Sequence, residues 1–339
     1  MSREPHEHGD RLAAHRKDER IERLLAAANT ALEHAPLGPP AGAAATAAGV
    51  DPAQLPLVYV VGVPRSGTTL LHQLLARHLY VSYVDNIVAR FWLRPSVGIA
   101  VSRAVAGDAG DAGTIELRSR HGVTTGAAGP HEFAYFWRRW LPFDESPNHH
   151  LDAALRARVD RAGLRRQLHD EVLASAGRPF VLKNVVCGFH AQLLSEVHPR
   201  SLFVHTTRDL SATVRSILQS RLERYGSYET WWSLEPSTFP FPAGLSPVEQ
   251  VVRQARDCRS DFDQALSAPG VTSLELPYEE LCRDPRAALD RIRDAVRELG
   301  WSLPAIAGEL EPLQASPGPR LPPALESELE RAVRGDLLL

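Results

Sequence analysis

The chain has 339 residues, of which 44% are hydrophobic and 23% are charged. This composition is typical of a globular protein, and the length accommodates one large α/β domain or two smaller ones. The net charge of −3 excludes a broadly basic surface for nucleic acid, so any anion site must be built locally.

Neither export nor membrane insertion is predicted. The N-terminal residues are densely charged and lack an apolar stretch, and the longest strongly apolar run, residues 55–63, is too short to span a bilayer. The three cysteines, Cys187, Cys258 and Cys282, are an odd number at wide spacing, which favours neither a disulfide framework nor a CxxC metal site. We therefore expect a reduced, cytoplasmic protein.

Residues 1–56 differ in composition from the rest of the chain. Apolar residues within 10–34 follow a thin helical stripe, and residues 35–56 have the Ala, Gly and Pro content of a linker. We expect a helical arm that packs on the domain or on a second subunit, which makes the chain a candidate homo-oligomer. The domain then spans residues 57–300, and residues 301–339 form a C-terminal tail.

Strand and helix patterns alternate from residue 57 onwards. Residues 57–63 are apolar on both faces, as in a buried parallel strand, and a Gly-Pro turn and a helix pattern follow. Four further strands are predicted, over residues 80–84, 180–182, 202–206 and 271–276. Helices are predicted over residues 190–197 and 285–299 and after Asp209. This alternation predicts an α/β, P-loop-like, three-layer fold, with a central parallel sheet covered by helices on both faces.

Two aromatic-rich insertions lie near residues 131–140 and 225–241. Long loops rich in proline and aromatic residues often form lids or substrate walls. We expect both on the substrate side of a ligand site, with some of the rings filling a satellite core.

The turn after the first strand carries the strongest chemical information. It reads Gly62-Val63-Pro64-Arg65-Ser66-Gly67-Thr68-Thr69 and opens a helix, so backbone N–H groups can face a phosphate. The glycine spacing matches the nucleoside-triphosphate loop G-x-x-x-x-G-K-[ST], but Thr68 occupies the lysine position. The alternative is a tight turn with ordinary helix capping by Ser66 or Thr68.

The missing lysine argues against a kinase or an ATPase. In those enzymes the lysine and Mg²⁺ neutralise the transferred γ-phosphoryl group. A sulfuryl group carries less charge, and a donor with a single 5′-phosphate needs no metal. Arg65, Ser66, Gly67, Thr68 and Thr69 suit one phosphate at a helix N-terminus.

This segment resembles the 5′-phosphosulfate loop of sulfotransferases that use 3′-phosphoadenosine-5′-phosphosulfate (PAPS), especially the bacterial and tyrosylprotein branch. The run from His205 to Asp209, followed by Ser216, resembles the family's 3′-phosphate motif. The run from Leu276 to Leu281 resembles its Y-E-[DE]-L segment. The resemblance covers roughly residues 57–300. It implies that PAPS is the donor, that adenosine 3′,5′-bisphosphate (PAP) is the product left after transfer, and that no metal is needed.

The second motif also suits a phosphate on physical grounds. Arg208 lies where a strand ends, and ligands bind at that edge of open α/β sheets. Ser216 lies about two helical turns further on, so it can share a face with the helix start. The alternatives are that Arg208 pairs with Asp209 as a local cap, and that the Ser216 hydroxyl donates a hydrogen bond to a backbone carbonyl of its own helix. Tyr278 is placed to contact adenine, although a tyrosine at a strand end is also ordinary.

Lys183 and a nearby acid are the predicted catalytic groups. Lys183 follows a strand and resembles the family's lysine in that position, although Val185 replaces the usual proline. The chain has only two lysines, Lys17 and Lys183, so a lysine in the core suggests that a compact ammonium is required there. Glu132 is the first candidate for the general base, His131 the second and Asp85 the third. Each of these three can instead be an ordinary polar group that orients a substrate.

Three functions remain open at the level of sequence. The first is transfer of a sulfuryl group to a hydroxyl of a small molecule, a glycan or a lipid. The second is a P-loop small-molecule kinase, which needs Mg²⁺ and a lysine at position 68. The third is a non-catalytic nucleotide-binding protein, in which Lys183 and Glu132 are dispensable.

Overall fold

Five parallel strands form the centre of the protein, in the order β2-β3-β1-β4-β5. The computed structural model describes residues 11–12, 15–33, 35, 49–106, 115, 117 and 124–335. The strands are β1 (Leu57–Gly62), β2 (Ser82–Tyr83), β3 (Phe180–Lys183), β4 (Ser201–Thr207) and β5 (Thr272–Pro277).

Twelve longer helical segments surround the sheet in the described part of the chain. They are α1 (Glu19–Glu33), α2 (Thr68–His78), α3 (Pro95–Ala106), α4 (Ala134–Trp140), α5 (Ala153–Arg158), α6 (Arg161–Arg166), α7 (Ala191–Val197), α8 (Leu210–Tyr225), α9 (Pro247–Leu266), α10 (Tyr278–Arg283), α11 (Pro285–Glu298) and α12 (Pro323–Arg334). A π-helical segment, Gln167–Leu173, and a last turn, Ala174–Ala176, extend α6.

Alternate side chains of β1 enter two separate cores. Leu57, Tyr59 and Val61 pack in the larger core, with α4 and the helices α7 to α9. Val58 and Val60 pack in the smaller core, against α2 and α11. A strand that is buried on both faces is apolar throughout, and this explains its continuous hydrophobic run. The predicted three-layer parallel fold is therefore confirmed.

The strand order also locates the site. From β1 the chain moves to one side of the sheet for β2 and β3, and it then crosses to the other side of β1 for β4. Ligands of open α/β sheets bind where the strand order reverses, at the carboxyl ends of the strands. The turn after β1 lies at this point.

The N-terminal arm contacts the domain through polar side chains. The predicted helix over 10–34 begins only at Glu19, and residues 13–14, 34 and 36–48 lie outside the described part. Asn29 is buried, donates to the carbonyl of Arg90 (2.8 Å) and accepts from the N–H of Leu93 (2.9 Å). Docking of the arm on its own domain agrees with one of the two predicted alternatives. The division at residues 56 and 300 stays a prediction.

The rings of the first aromatic insertion lie mostly in the core. Phe133, Phe136 and Trp137 are buried, and they pack with each other and with Tyr59. These rings fill the core, whereas the segment just before them lines the cleft, so the expected place of this insertion on the substrate side stays a prediction. In the second insertion, Trp232 lines the cleft described below.

Within the described residues, no helix combines the length and the apolar composition that crossing a membrane requires.

The buried histidines predict that the folded protein loses stability in mild acid. Burial lowers the pKa of five histidines to about 3 or about 4: His72, His131, His190, His198 and His205. In the unfolded chain their pKa is near the ordinary value of about 6.5, so below that pH the unfolded state binds more protons. The free energy of unfolding should therefore fall by about 1 kcal/mol per pH unit for each such histidine, down to the folded pKa. Urea unfolding between about pH 7 and about pH 4.5 measures this slope, and a constant midpoint would contradict it.

Candidate functional site

A cleft of ≈ 440 Å³ opens at the carboxyl ends of the strands. Its walls come from the turn after β1, the start of α2, the ends of β3 and β4, and the segment before α4. Nine of the residues singled out from the sequence line it: Arg65, Gly67, Thr68, Thr69, His131, Glu132, Lys183, Arg208 and Tyr278.

Close backbone approach fixes the turn after β1. A Cβ on Gly62 would lie 2.5 Å from the carbonyl oxygen of Thr206, and a Cβ on Gly67 would lie 2.5 Å from the ring of Tyr278. Gly67 has a φ of 101°, in the left-handed region that side chains rarely adopt. Both positions therefore require glycine, and the ring of Tyr278 packs directly against the turn.

The start of α2 is open to a ligand. Gly67 precedes the helix, and among the described residues no side chain caps the helix N-terminus. Capping by Ser66 or Thr68, the alternative considered from the sequence, does not occur. Ser66 is buried, and its hydroxyl instead contacts the hydroxyl of Thr206 (2.8 Å). The first-turn N–H groups and the hydroxyls of Thr68 and Thr69 are left for an anion.

Arg65, Ser216 and Arg208 form a connected group beside the turn. Arg65 Nε donates to Ser216 Oγ (2.8 Å), and Arg208 donates to the carbonyl of Arg65 (2.7 Å). Burial lowers the pKa of Arg65, and the nearby cations Arg208 and Arg224 lower it further. Cations held this close together are stabilised by an anion between them. Ser216 itself is buried and does not line the cleft, so its direct contact with a phosphate stays a prediction.

A part of the C-terminal tail closes this side of the site. The carbonyl of Ser316 accepts from Arg208 (2.6 Å), and its N–H donates to the hydroxyl of Tyr278 (3.3 Å). The guanidinium of Arg208 also lies 4.6 Å from the centre of the Tyr278 ring. This contact of the predicted C-terminal tail, residues 301–339, was not foreseen from the sequence.

Lys183 and Glu132 face the turn from the other wall. The ammonium of Lys183 donates a hydrogen bond to the carboxylate of Glu132, in an ion pair. Lys183 is 3% exposed, whereas the Glu132 side chain is 41% exposed. Asn184 donates to the carbonyl of Glu132 (3.1 Å) and caps the following turn, which ties the end of β3 to the segment before α4.

The charge of Lys183 keeps Glu132 ionised. Burial alone would raise the pKa of Glu132, but the charge and hydrogen bond of Lys183, with a smaller contribution from His131, lower it below the ordinary value. Of the described residues that line the cleft, Glu132 is the one carboxylate, beside the cations Lys17, Arg65, Lys183, Arg208 and Arg224.

His131 has a hydrogen-bond pattern that suits a donor. Its Nδ1 accepts from the N–H of Phe133 (2.9 Å), so the proton of the neutral ring resides on Nε2. Burial lowers its pKa to about 4, and the ring is therefore neutral near pH 7. A neutral ring in this tautomer has no free lone pair to accept a proton, which favours Glu132 as the base.

Asp85, the third candidate, serves the backbone. It is 5% exposed, accepts from the N–H groups of Ile87 (2.9 Å) and Val88 (2.7 Å), and accepts from the hydroxyl of Ser102. Burial raises its pKa despite these hydrogen bonds. Asp85 therefore caps a turn, and it is not among the residues that line the cleft.

The cleft has further wall residues that the sequence did not reveal. Arg224 and Lys17 add two cations, and Thr124, Trp232 and Ser233 complete the wall beside Glu132. Arg224 follows Ser216 by two steps of four residues, so the shared helix face was visible in the sequence. Lys17 was visible as one of only two lysines in the chain.

One cluster among the described residues has the composition of a metal site: His205, Asp263 and Glu275. The guanidinium of Arg259 already pairs with both carboxylates, at 2.9 Å from each. The positive charge that these carboxylates require is therefore supplied by the chain itself.

Two chemical capabilities follow from this arrangement. One side of the cleft suits a phosphate, with an open helix N-terminus and a group of arginines. The other side presents a buried ammonium and an ionised carboxylate, which suit charge stabilisation and proton removal. A scaffold protein would need only the first capability.

Proteins with a similar sequence are sulfotransferases. The profile of the Sulfotransferase family matches residues 56–302. The chain is 26% identical over 260 residues to the omega-hydroxy-beta-dihydromenaquinone-9 sulfotransferase Stf3 of Mycobacterium bovis and, equally, of Mycobacterium tuberculosis. The alignment covers 70% of this chain and 61% of Stf3, so the chain spans less than two thirds of the length of these relatives.

Two solved structures are also similar to this chain, at lower identity. Sulfotransferase STF1 of Mycobacterium tuberculosis is 20% identical with a TM-score of 0.42, over 73% of this chain and 68% of its own. Sulfotransferase STF9 of Mycobacterium avium is 18% identical with a TM-score of 0.43, over 83% and 68%.

Proposed function

The chain belongs to the sulfotransferase family, and from this premise we propose that it transfers the sulfuryl group of PAPS to an acceptor hydroxyl. One observation carries the proposal: a phosphate-binding turn with Thr68 in the lysine position faces the Lys183–Glu132 pair across a single cleft. The turn suits a 5′-phosphate without Mg²⁺, and Arg208 suits a 3′-phosphate.

The chain's own residues account for each part of the transfer. Glu132 removes the proton of the acceptor hydroxyl, whose oxygen attacks sulfur while the bond from sulfur to the 5′-phosphate oxygen breaks in line. The electron pair of that bond stays on the phosphate oxygen, and the Lys183 ammonium stabilises the charge there. His131 donates from Nε2 and orients the acceptor. Transfer requires that the ammonium of Lys183 leave Glu132 as it engages the departing oxygen, which frees the carboxylate to act as base.

The acceptor that we propose is an amphiphilic alcohol. Trp232 lines the same cleft as Glu132 and adds an aromatic side chain to its wall. Stf3 is named for a hydroxylated menaquinone, so lipid-like alcohols are the first acceptors to test, ahead of glycans and small phenols. The cytoplasmic location remains part of the proposal, and an oligomer through the arm stays a prediction from the sequence. The three cysteines are free and buried, which supports a reducing compartment.

Binding of PAP tests the donor class. The proposal expects that PAP binds with EDTA present, and more tightly than ATP with Mg²⁺, in calorimetric titrations. A P-loop kinase has the opposite preference. Tighter binding of Mg²⁺–ATP than of PAP would refute the proposed donor.

Arg208→Ala tests the site of the 3′-phosphate. This variant should weaken the binding of PAP by about 1.5–3 kcal/mol, because a charge-assisted contact is lost. Binding of 5′-AMP, which lacks the 3′-phosphate, should change far less. Arg297→Ala, an exposed arginine on α11, is the matched control and should leave both affinities unchanged. Equal losses for the two ligands would give Arg208 a purely structural role.

A further inference from the structure

The arm helix α1 has an unusual distribution of side chains. A surface helix normally turns its apolar stripe towards the core. In α1, three inward contacts are made by the polar residues Glu22, Asn29 and Glu33, beside Leu25 and Leu32, which are half-buried. Glu22 accepts from Lys17 and from the hydroxyl of Tyr135, and Glu33 pairs with Arg139.

The exposed side of α1 carries several apolar residues. Leu24 is 70% exposed and Ile21 is 48% exposed, and Ala27, Ala28 and Ala31 are also exposed. Of the five large hydrophobic residues with exposed side chains in the described part of the chain, two therefore belong to α1, and a third, Leu12, lies shortly before it. We call Ile21, Leu24, Ala27, Ala28 and Ala31 the outer face.

The charges around the outer face have one dominant sign. Arg20 and Arg23 lie among its residues at helical spacing and are exposed. The acidic residues of the segment have other partners. Asp18 accepts from backbone N–H groups at the helix start. Glu22 and Glu33 contact Tyr135 and Arg139 of the domain. Glu19 lies on the flank, one helical turn before Arg23. Apolar side chains between arginines match an anionic lipid surface, which binds both.

The same charges disfavour a second copy of the chain as occupant. A two-fold contact places the same patch on both sides of the interface. Arg20 and Arg23 of one copy would then face Arg20 and Arg23 of the other, and this like-charge contact opposes association.

The position of α1 connects this face to the cleft. Lys17 lines the cleft and donates to the hydroxyl of Tyr135 (2.5 Å) just before the helix begins, and the N–H of Leu12 donates to the carbonyl of Arg224, another cleft residue (2.9 Å). The N-terminal end of α1, which begins two residues after Lys17, therefore lies near the cleft.

We propose that the outer face of α1 docks on an anionic lipid bilayer and places the mouth of the cleft at the membrane surface. The side chains of Ile21 and Leu24 enter the interfacial region, and Arg20 and Arg23 contact acidic headgroups. This binding needs neither donor nor turnover, so it stands or fails independently of the proposed reaction.

Co-sedimentation with vesicles tests the proposal with the full chain. The protein should bind vesicles that contain phosphatidylglycerol, bind phosphatidylcholine vesicles much less, and dissociate as salt is raised. The double variant Ile21→Glu, Leu24→Glu should lose roughly tenfold or more in vesicle affinity. Arg20→Gln with Arg23→Gln should lose about as much on acidic vesicles, with little further change on neutral ones.

Val105→Glu is the matched control, because Val105 is 66% exposed but belongs to α3. It should bind acidic vesicles like the unchanged protein, and PAP binding should be the same in all variants. Absence of vesicle binding by the unchanged protein would overturn the proposal, as would equal losses in Val105→Glu and the double variant. If light scattering shows a dimer that the double variant abolishes, the outer face is an interface between two copies and the proposal fails.

Discussion

Replacement of Lys183 by alanine should lower the turnover of sulfuryl transfer by about 10²–10³-fold, the usual cost of removing one preorganised charge stabiliser. Lys183 is almost fully buried at the end of β3, so water cannot replace its ammonium at little cost. Because it acts on charge that develops as the bond breaks, the KM of the acceptor should change little. Lys183→Arg should restore little activity, since a planar guanidinium does not fit a site built for a compact ammonium.

The chain supplies its own control for this experiment. Lys17 is the only other lysine in the sequence, and it also lines the cleft. Lys17→Ala should leave the turnover number largely intact, because Lys17 lies at the mouth and is more than half exposed. Steady-state transfer of labelled sulfate from PAPS measures both variants. Equal losses would mean that general positive charge, and not the position of Lys183, is what the reaction needs.

Replacement of Glu132 by glutamine should reduce turnover by about 10²–10⁴-fold, which is the usual contribution of a general base. The amide oxygen of glutamine can still accept from Lys183, so the variant isolates the loss of basicity from the loss of the contact. An acceptor with a more acidic hydroxyl, such as an activated phenol, should recover part of the rate because it needs less deprotonation. Since the pKa of Glu132 is lowered, the acid limb of kcat/KM should lie below the ordinary glutamate range.

His131→Ala separates the two candidate bases. Because His131 already accepts at Nδ1, it should act as a donor, and its removal should cost much less than Glu132→Gln. If Glu132→Gln is fully active and His131→Ala is inactive, the base is His131. If neither change matters and Lys183→Ala is also silent, the chain binds nucleotide without performing this chemistry.

The first strand was predictable because it is apolar on both faces. The predicted run 57–63 and the observed β1, Leu57–Gly62, differ by one residue. A strand buried on both faces is apolar at every position, so its boundaries are clear in the sequence. The long helix α9 was missed, although Ser246 and Glu249 form a capping box at its start. Its buried apolar residues also follow helical spacing, so this helix could have been predicted from the sequence: Val248, Val251, Val252, Ala255, Cys258, Phe262 and Leu266.

The candidate site was predictable where it depends on local sequence and not where it depends on distant contacts. Gly62, Gly67 and Arg65 could be chosen because one short turn fixes their geometry. The ion pair between Lys183 and Glu132 joins residues 51 positions apart, so only the fold shows that they meet. The tautomer of His131 depends on a single N–H from Phe133, whose backbone has a positive φ that sequence patterns did not indicate.

The contacts of the C-terminal tail bear on where this chain could be shortened. The family match ends at residue 302, yet Ser316 bridges Arg208 and Tyr278, and Glu326 of α12 pairs with Arg215 on α8 at 2.9 Å. A chain cut at the end of the match would keep every recognisable motif and both catalytic candidates. It would lose the contacts of Ser316 with Arg208 and with Tyr278. The interactions that order this side of the cleft therefore extend beyond the region that matches the family.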